Sequence, residues 1–177
     1  MQLYIEPDIF FFGSVVLLML PLDWLLAALL AAIIHELCHM AAVVLLGGTV
    51  SEISIGVGGA RIKAVIPGSR EEVLAVLAGP AGSLLLLLLL HCLPQLAICG
   101  CVQSLFNLLP IPSLDGGRIL KALLQNLWPE YAESLLVLAE IIVIAGLLLA
   151  AVYAARVLSA GIWPVMMILI LISGRFR

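Results

Sequence analysis

What this chain lacks most is charge. Only 11% of its 177 residues are Asp, Glu, Lys or Arg, and no Lys or Arg occurs before Arg61. An ordinary soluble domain is about a quarter charged and about half apolar, whereas here 64% of residues are hydrophobic and the mean hydropathy is +1.29. Runs such as Ser83–Leu90 and Ile141–Ala151 could not be hidden inside so small a domain without leaving large exposed apolar patches, so the lipid bilayer is the expected solvent. The net charge of -3 is thinly spread with no basic cluster, which sets aside nucleic acid and acidic polymers as partners. No basic stretch precedes the first apolar run, so no cleavable signal peptide is expected. The cysteines, Cys38, Cys92, Cys99 and Cys101, form no CxxC pair. That argues against both a disulfide framework and a cysteine zinc knuckle, and they read as small buried hydrophobes.

Taking about 20 apolar residues per crossing, spans are expected near 24–46, 72–93, 134–155 and 157–174, with weaker candidates at 9–22 and at 94–109, where Pro94 interrupts the run. The expected fold class is an all-α polytopic membrane protein of five or six transmembrane helices, forming a single domain over 1–177 with a core at about 24–127 and a C-terminal helical pair at about 134–174. With six crossings, Arg61, Lys63 and Arg70, then Arg118 and Lys121, then Arg175 and Arg177 all fall on one side. By the positive-inside rule that side is cytoplasmic, as are both termini. Arg156 would sit in the turn between the last two spans and snorkel to headgroups. Between the first clear spans the pattern changes: Ile53, Ile55 and Val57 alternate, Gly58–Gly59 offers a turn, and Arg61 and Lys63 alternate with Ile62 and Ala64. This predicts a small membrane-associated β-hairpin.

The residues that carry chemistry begin at His35-Glu36-Leu37-Cys38-His39, an HExxH pattern inside a predicted helix over 25–46. Residues four apart on a helix are offset by about 40° and about 6 Å, so both imidazoles can converge on one ion, with Glu36 beside its open position as a base for bound water. Ionisable groups at that depth are costly, which favours a functional over a packing role. A catalytic zinc normally takes three protein ligands. Asp115 follows an apolar span among backbone-breaking residues: Pro110 and Pro112 prevent regular helix, and Gly116 and Gly117 permit a sharp turn and close approach. Read alone, Asp115 is either that third ligand or the cap of a helix over Gly116–Leu127.

These motifs resemble those of the site-2 protease family of intramembrane zinc metalloproteases, peptidase family M50, which pairs HExxH on one transmembrane helix with a later NxxPxxxLDG element. Here that element is Asn107, Pro110, Leu114, Asp115 and Gly116, while Ala78-Gly79-Pro80 matches the family's AGP segment and residues 47–66 its glycine-rich β element. The resemblance covers roughly residues 24–127 in the family's order. It implies one Zn2+ per chain held by His35, His39 and Asp115, Glu36 as general base, and Asn107 as a hydrogen-bonding group for substrate backbone. The implied partners are a membrane-spanning or membrane-associated protein substrate and the bilayer itself. The implied location is the cell membrane of a bacterium, multi-pass, with the active site accessible from the cytoplasmic side. The chain departs from the family pattern at Cys38, where many members have glycine, at Ser83, where asparagine is frequent, and at Ser113, where proline is frequent. With no PDZ or CBS domain in these residues, it looks most like the minimal, sporulation-type branch, whose relatives process a membrane-associated pro-sigma factor.

Smaller signals read mostly as structure. Ala75, Gly79 and Ser83 at spacing four would let their helix approach the HExxH helix closely. Glu140 is expected to snorkel toward headgroups rather than gate, and His91 to lie at the outer interface. The hairpin is either a sheet edge that receives an extended substrate or a loop packed on the cytoplasmic face. Two rival functions are a membrane metal-ion transporter and a noncatalytic zinc-binding scaffold. The first predicts ligands repeated along several helices, whereas this chain has a single HExxH; the second leaves Glu36 without purpose.

Overall fold

Between Leu22 and Leu45 the chain has no glycine or proline and is rich in Ala and Leu, the residues that lose least on entering a helix. In the computed structural model, which describes residues 2–5, 21–56 and 59–157, this stretch is one unbroken helix, α1 (Leu22–Leu45). It stops because Gly47 adopts φ 80°, a conformation that glycine reaches without a Cβ penalty. The amides of Gly47 and Gly48 then bond back to the carbonyls of Val44 and Val43 at 3.1 and 2.8 Å. That is a Schellman ending, which satisfies carbonyls the helix would otherwise strand.

The chain leaves this turn as β2 (Thr49–Gly56), which pairs antiparallel with β3 (Gly59–Val65). The pairs Glu52↔Lys63 and Ser54↔Arg61 fix the register, with an irregularity between Val50 and Glu52. The expected hairpin is therefore present, its central residues 57 and 58 lying outside the described residues. A further strand, β1 (Gln2–Ile5), runs parallel to β2, so the sheet has the order β1-β2-β3 rather than two strands. Four residues are too short a run for periodicity to announce.

Helix α2 (Ser69–Leu85) follows and continues as a 3-10 turn, Leu86–Leu89. Pro94 opens α3 (Pro94–Asn107), at the end where its missing N–H costs nothing. Helix α1 packs against both α2 and α3, and these two against each other. Ala31, Leu86 and Leu96 form a buried cluster at their meeting point. At 14 residues α3 is only about 21 Å long, short of the roughly 30 Å hydrocarbon layer.

From Leu109 onward the chain forms a second compact unit. It holds α4 (Asp115–Leu127) and α5 (Ala132–Val157), with Leu124, Ala132 and Leu136 as its buried cluster. Helix α5 carries Arg156 into its last turn instead of leaving it in a loop, where its charge suits the negative end of the helix dipole. Glu140 is 1% exposed, which corrects the expectation of a snorkelling carboxylate. It stands at spacing four from Leu136 and eight from Ala132, on the stripe of α5 that is turned inward.

Polarity is distributed in the reverse of a water-soluble protein. His35, Ser83, Ser104 and Glu140 are at most 1% exposed, while Leu26, Leu29, Ile33 and Leu37 of α1 are 47–56% exposed. Among the described residues, Leu22–Leu45, Ser69–Leu89 and Ala132–Val157 are long and apolar enough to cross a membrane. Lipid on the outside and hydrogen-bonded polar groups on the inside account for both halves of that pattern. The chain is a mostly helical polytopic membrane protein with a small sheet. The spans expected at 9–22 and 157–174 lie, apart from their inner ends, outside the described residues.

Candidate metal centre

His35 and His39 share the inward face of α1, with exposures of 1% and 8%. Their rings meet edge to face, with centroids 4.7 Å apart, and the two Nε2 atoms are 3.1 Å apart. The face of α2 that meets them carries Ala75, Gly79 and Ser83. Gly79 is required by space: a Cβ there would land on the His39 imidazole. One turn on, a Cβ at Gly82 would strike the Cys38 sulfur, so the larger residue within HExxH is matched by a gap on α2. The close approach expected from small residues at spacing four is thus realised.

That approach also brings polar groups to the rings. Nδ1 of His39 donates to the Ala75 carbonyl at 2.8 Å, and Nδ1 of His35 lies 2.8 Å from Ser83 Oγ. A carbonyl only accepts, so Nδ1 of His39 carries a proton, which leaves Nε2 as the ring nitrogen able to face a metal ion. On the other side, the Asn107 amide nitrogen lies 3.4 Å from His35 Nε2. Asn107 ends α3, and Ser104, one turn earlier on that helix, donates to the Pro80 carbonyl at 2.8 Å, tying α3 to α2. Ser104 and the two Nδ1 partners on α2 were not legible as such in the sequence. The small-residue spacing indicated contact between helices but not which atoms would bond.

Asp115 is reached through a stretch that is not regular helix. The Ile111 amide bonds to the Leu109 carbonyl at 2.8 Å and the Leu114 amide to the Ile111 carbonyl at 2.9 Å. A Cβ on Gly117 would strike the Ile111 carbonyl, so glycine is what lets the start of α4 lie against this turn. The N-cap of α4 is Leu114, not Asp115; Asp115 is the first helical residue, where a carboxylate is favoured by the helix dipole. It is 9% exposed.

One ligand atom from each of His35, His39 and Asp115 lies within 4.8 Å of the others, a group that could hold a metal ion. The donor set suits zinc, which takes imidazole nitrogen and carboxylate oxygen. Two nitrogens bound to one tetrahedral zinc stand about 3.3 Å apart for bonds of about 2.0–2.1 Å, close to the 3.1 Å between the two Nε2 atoms. Glu36 is half-buried beside His35 on α1. His91 is exposed.

Fold and residues together describe a membrane-embedded protein with a group of side chains that could hold a metal ion, and comparison with known proteins adds two likenesses. The model of peptidase family M50 matches residues 72–151. Among solved structures the chain is similar to a site-2 protease from Methanocaldococcus jannaschii, with a TM-score of 0.64 and 19% identity over 88% of this chain and 82% of that one. At that identity the likeness speaks for the fold. No curated protein sequence matches the chain. Residues 72–151 are thus similar to peptidase family M50, and the fold of the chain is similar to that of a site-2 protease.

Proposed function

We propose that this protein is an intramembrane zinc metalloendopeptidase that hydrolyses peptide bonds of membrane-spanning or membrane-associated protein substrates, with one Zn2+ held by His35, His39 and Asp115. The observation that carries this reading is the gathering of one ligand atom from each of these residues within 4.8 Å. A zinc ion bound there would lower the pKa of a coordinated water toward about 7 and polarise the scissile carbonyl. Glu36, next to His35 in sequence, takes the proton from the attacking water and returns it to the leaving amine, so it is base in one step and acid in the next. The Asn107 amide, 3.4 Å from His35 Nε2, is close enough to the reacting centre to hydrogen-bond the substrate backbone. No transporter-like ladder of ligands favours the rival reading: among the described residues a single such cluster is found.

A substrate helix hides its peptide bonds in its own hydrogen bonds and must be received as an extended segment. Within the sheet β2 is flanked on both sides, which leaves β3 (Gly59–Val65) as an outer strand to which a substrate segment could add. The cytoplasmic side of the membrane of a bacterium is the proposed place of action, from the positive residues discussed above. The sporulation-type branch is the proposed subgroup.

The test is co-expression with candidate single-span proteins, comparing the wild type with Glu36→Gln. Truncated products that disappear in Glu36→Gln, while the purified variant retains zinc, are expected. Ion movement into liposomes without cleavage would replace the protease by a transporter.

A further inference from the structure

Both imidazoles of α1 are held from behind, but by groups of different kinds. His39 donates to a backbone carbonyl, that of Ala75, which no substitution at that position removes. His35 is held by a side chain, Ser83, which is 0% exposed and 2.8 Å from Nδ1. A hydroxyl can donate or accept, so that contact alone leaves the tautomer of His35 open.

Two neighbours bear on the choice. The Asn107 amide nitrogen, a donor, approaches His35 Nε2 at 3.4 Å. Nε2 of His39 sits 3.1 Å from the same atom. A cation lying between the two nitrogens satisfies both lone pairs, provided that the His35 proton is on Nδ1.

We infer that Ser83 is a positioning residue for the metal ligand His35: its hydroxyl accepts from Nδ1–H and holds the ring in the tautomer and orientation that turn the Nε2 lone pair toward Nε2 of His39. This rests on the metal reading above and adds the residue that sets how strongly the ion is held. Outer partners of ligand imidazoles fix ring orientation and raise ligand basicity, and their loss costs about 10–100-fold in metal affinity. The buried contact also explains why a polar side chain stands at the end of the Ala75–Gly79–Ser83 face, where packing alone would be served by alanine.

The full chain in detergent or nanodiscs would be titrated with Zn2+ against a competing chelator. Ser83→Ala is expected to bind about 10–100-fold more weakly than the wild type. Ser83→Thr, which keeps the hydroxyl, is expected to recover most of that affinity. Ser104→Ala removes another fully buried interhelical hydroxyl that touches no imidazole, and it is expected to bind Zn2+ as the wild type does. In 15N spectra of zinc-loaded, histidine-labelled wild type, His35 should carry its proton on Nδ1 and its metal on Nε2. Equal affinity of Ser83→Ala and wild type, or a His35 bound to metal through Nδ1, would overturn the inference while leaving the metal site standing. A wild type that takes up no zinc would overturn the metal reading and this inference with it. Should Ser83→Ala fail to fold, the spectra of the wild type decide.

Discussion

The two stretches that supply the proposed donors are built in opposite ways. Residues 35–39 lie on regular helix, so the spacing of their imidazoles follows from helix geometry alone, and hydrogen bonds to groups of α2 then pin each ring from behind. Residues 108–114 are a folded-back turn, broken by Pro110 and Pro112, that delivers Asp115 at the head of α4. A periodic backbone can carry a ligand pair whose geometry is set locally. A single carboxylate that must arrive from elsewhere needs irregular backbone, and in a membrane such backbone persists only where its polar groups are satisfied within the protein.

The strongest way to break this comparison is at the helical side's reactive group. Glu36→Gln is expected to lower kcat/KM by about 10²–10⁴-fold while zinc, measured by metal analysis of the purified chain, stays bound. Loss of the metal instead would make Glu36 a part of the ligand shell rather than a base.

Next in size is the contrast between donors. His39→Ala and Asp115→Ala are both expected to weaken zinc binding by more than the about 10–100-fold that an outer partner costs. If Asp115→Ala keeps wild-type affinity in a chelator competition, its carboxylate serves only the first turn of α4, and the donor set proposed here is wrong.

Two glycines sharpen the comparison further, because each makes room of a different kind. Gly79→Ala pushes against the His39 ring, and Gly117→Ala against the backbone carbonyl of Ile111. Overpacking of this sort costs about 1–3 kcal/mol. Since a backbone carbonyl in a tight turn yields less easily than a side chain, unfolding in detergent should show the larger loss for Gly117→Ala. The reverse order would mean that the turn before α4 is the more compliant region.

The smallest effect is expected at Ser104. Removing its bond to the Pro80 carbonyl should cost about 0.6 kcal/mol, and at most about 1.7, the range for interhelical hydrogen bonds in membranes. A larger loss in the same unfolding measurement would mark α3 as more dependent on α2 than their apolar packing suggests.

How much was legible beforehand differs along the same line. The HExxH helix, the hairpin and the long apolar spans could be read directly, because helical and strand periodicities are local properties of the chain. The Asn107–Gly117 element could be located but not decided, since a lone aspartate before a helix is as compatible with capping as with ligation. Strand β1, at four residues, is too brief for periodicity to reveal. The inward orientation of Glu140 is not legible in the sequence, because depth in a span says nothing about which face of the helix is turned inward.

By itself, then, the order of residues determined that the solvent is lipid, that two imidazoles lie four apart on one helix with a carboxylate between them, and that the backbone breaks before Asp115. Those facts depend on composition, on 3.6 residues per turn and on the geometry of proline and glycine, all of which act over a few residues. Only the tertiary structure decided that Ala75 and Ser83 stand behind the imidazoles, that Ser104 grips the Pro80 carbonyl and that Glu140 faces inward. Each of these joins groups far apart in sequence or chooses one face of a helix over another. Such choices are made by packing, which no local rule contains.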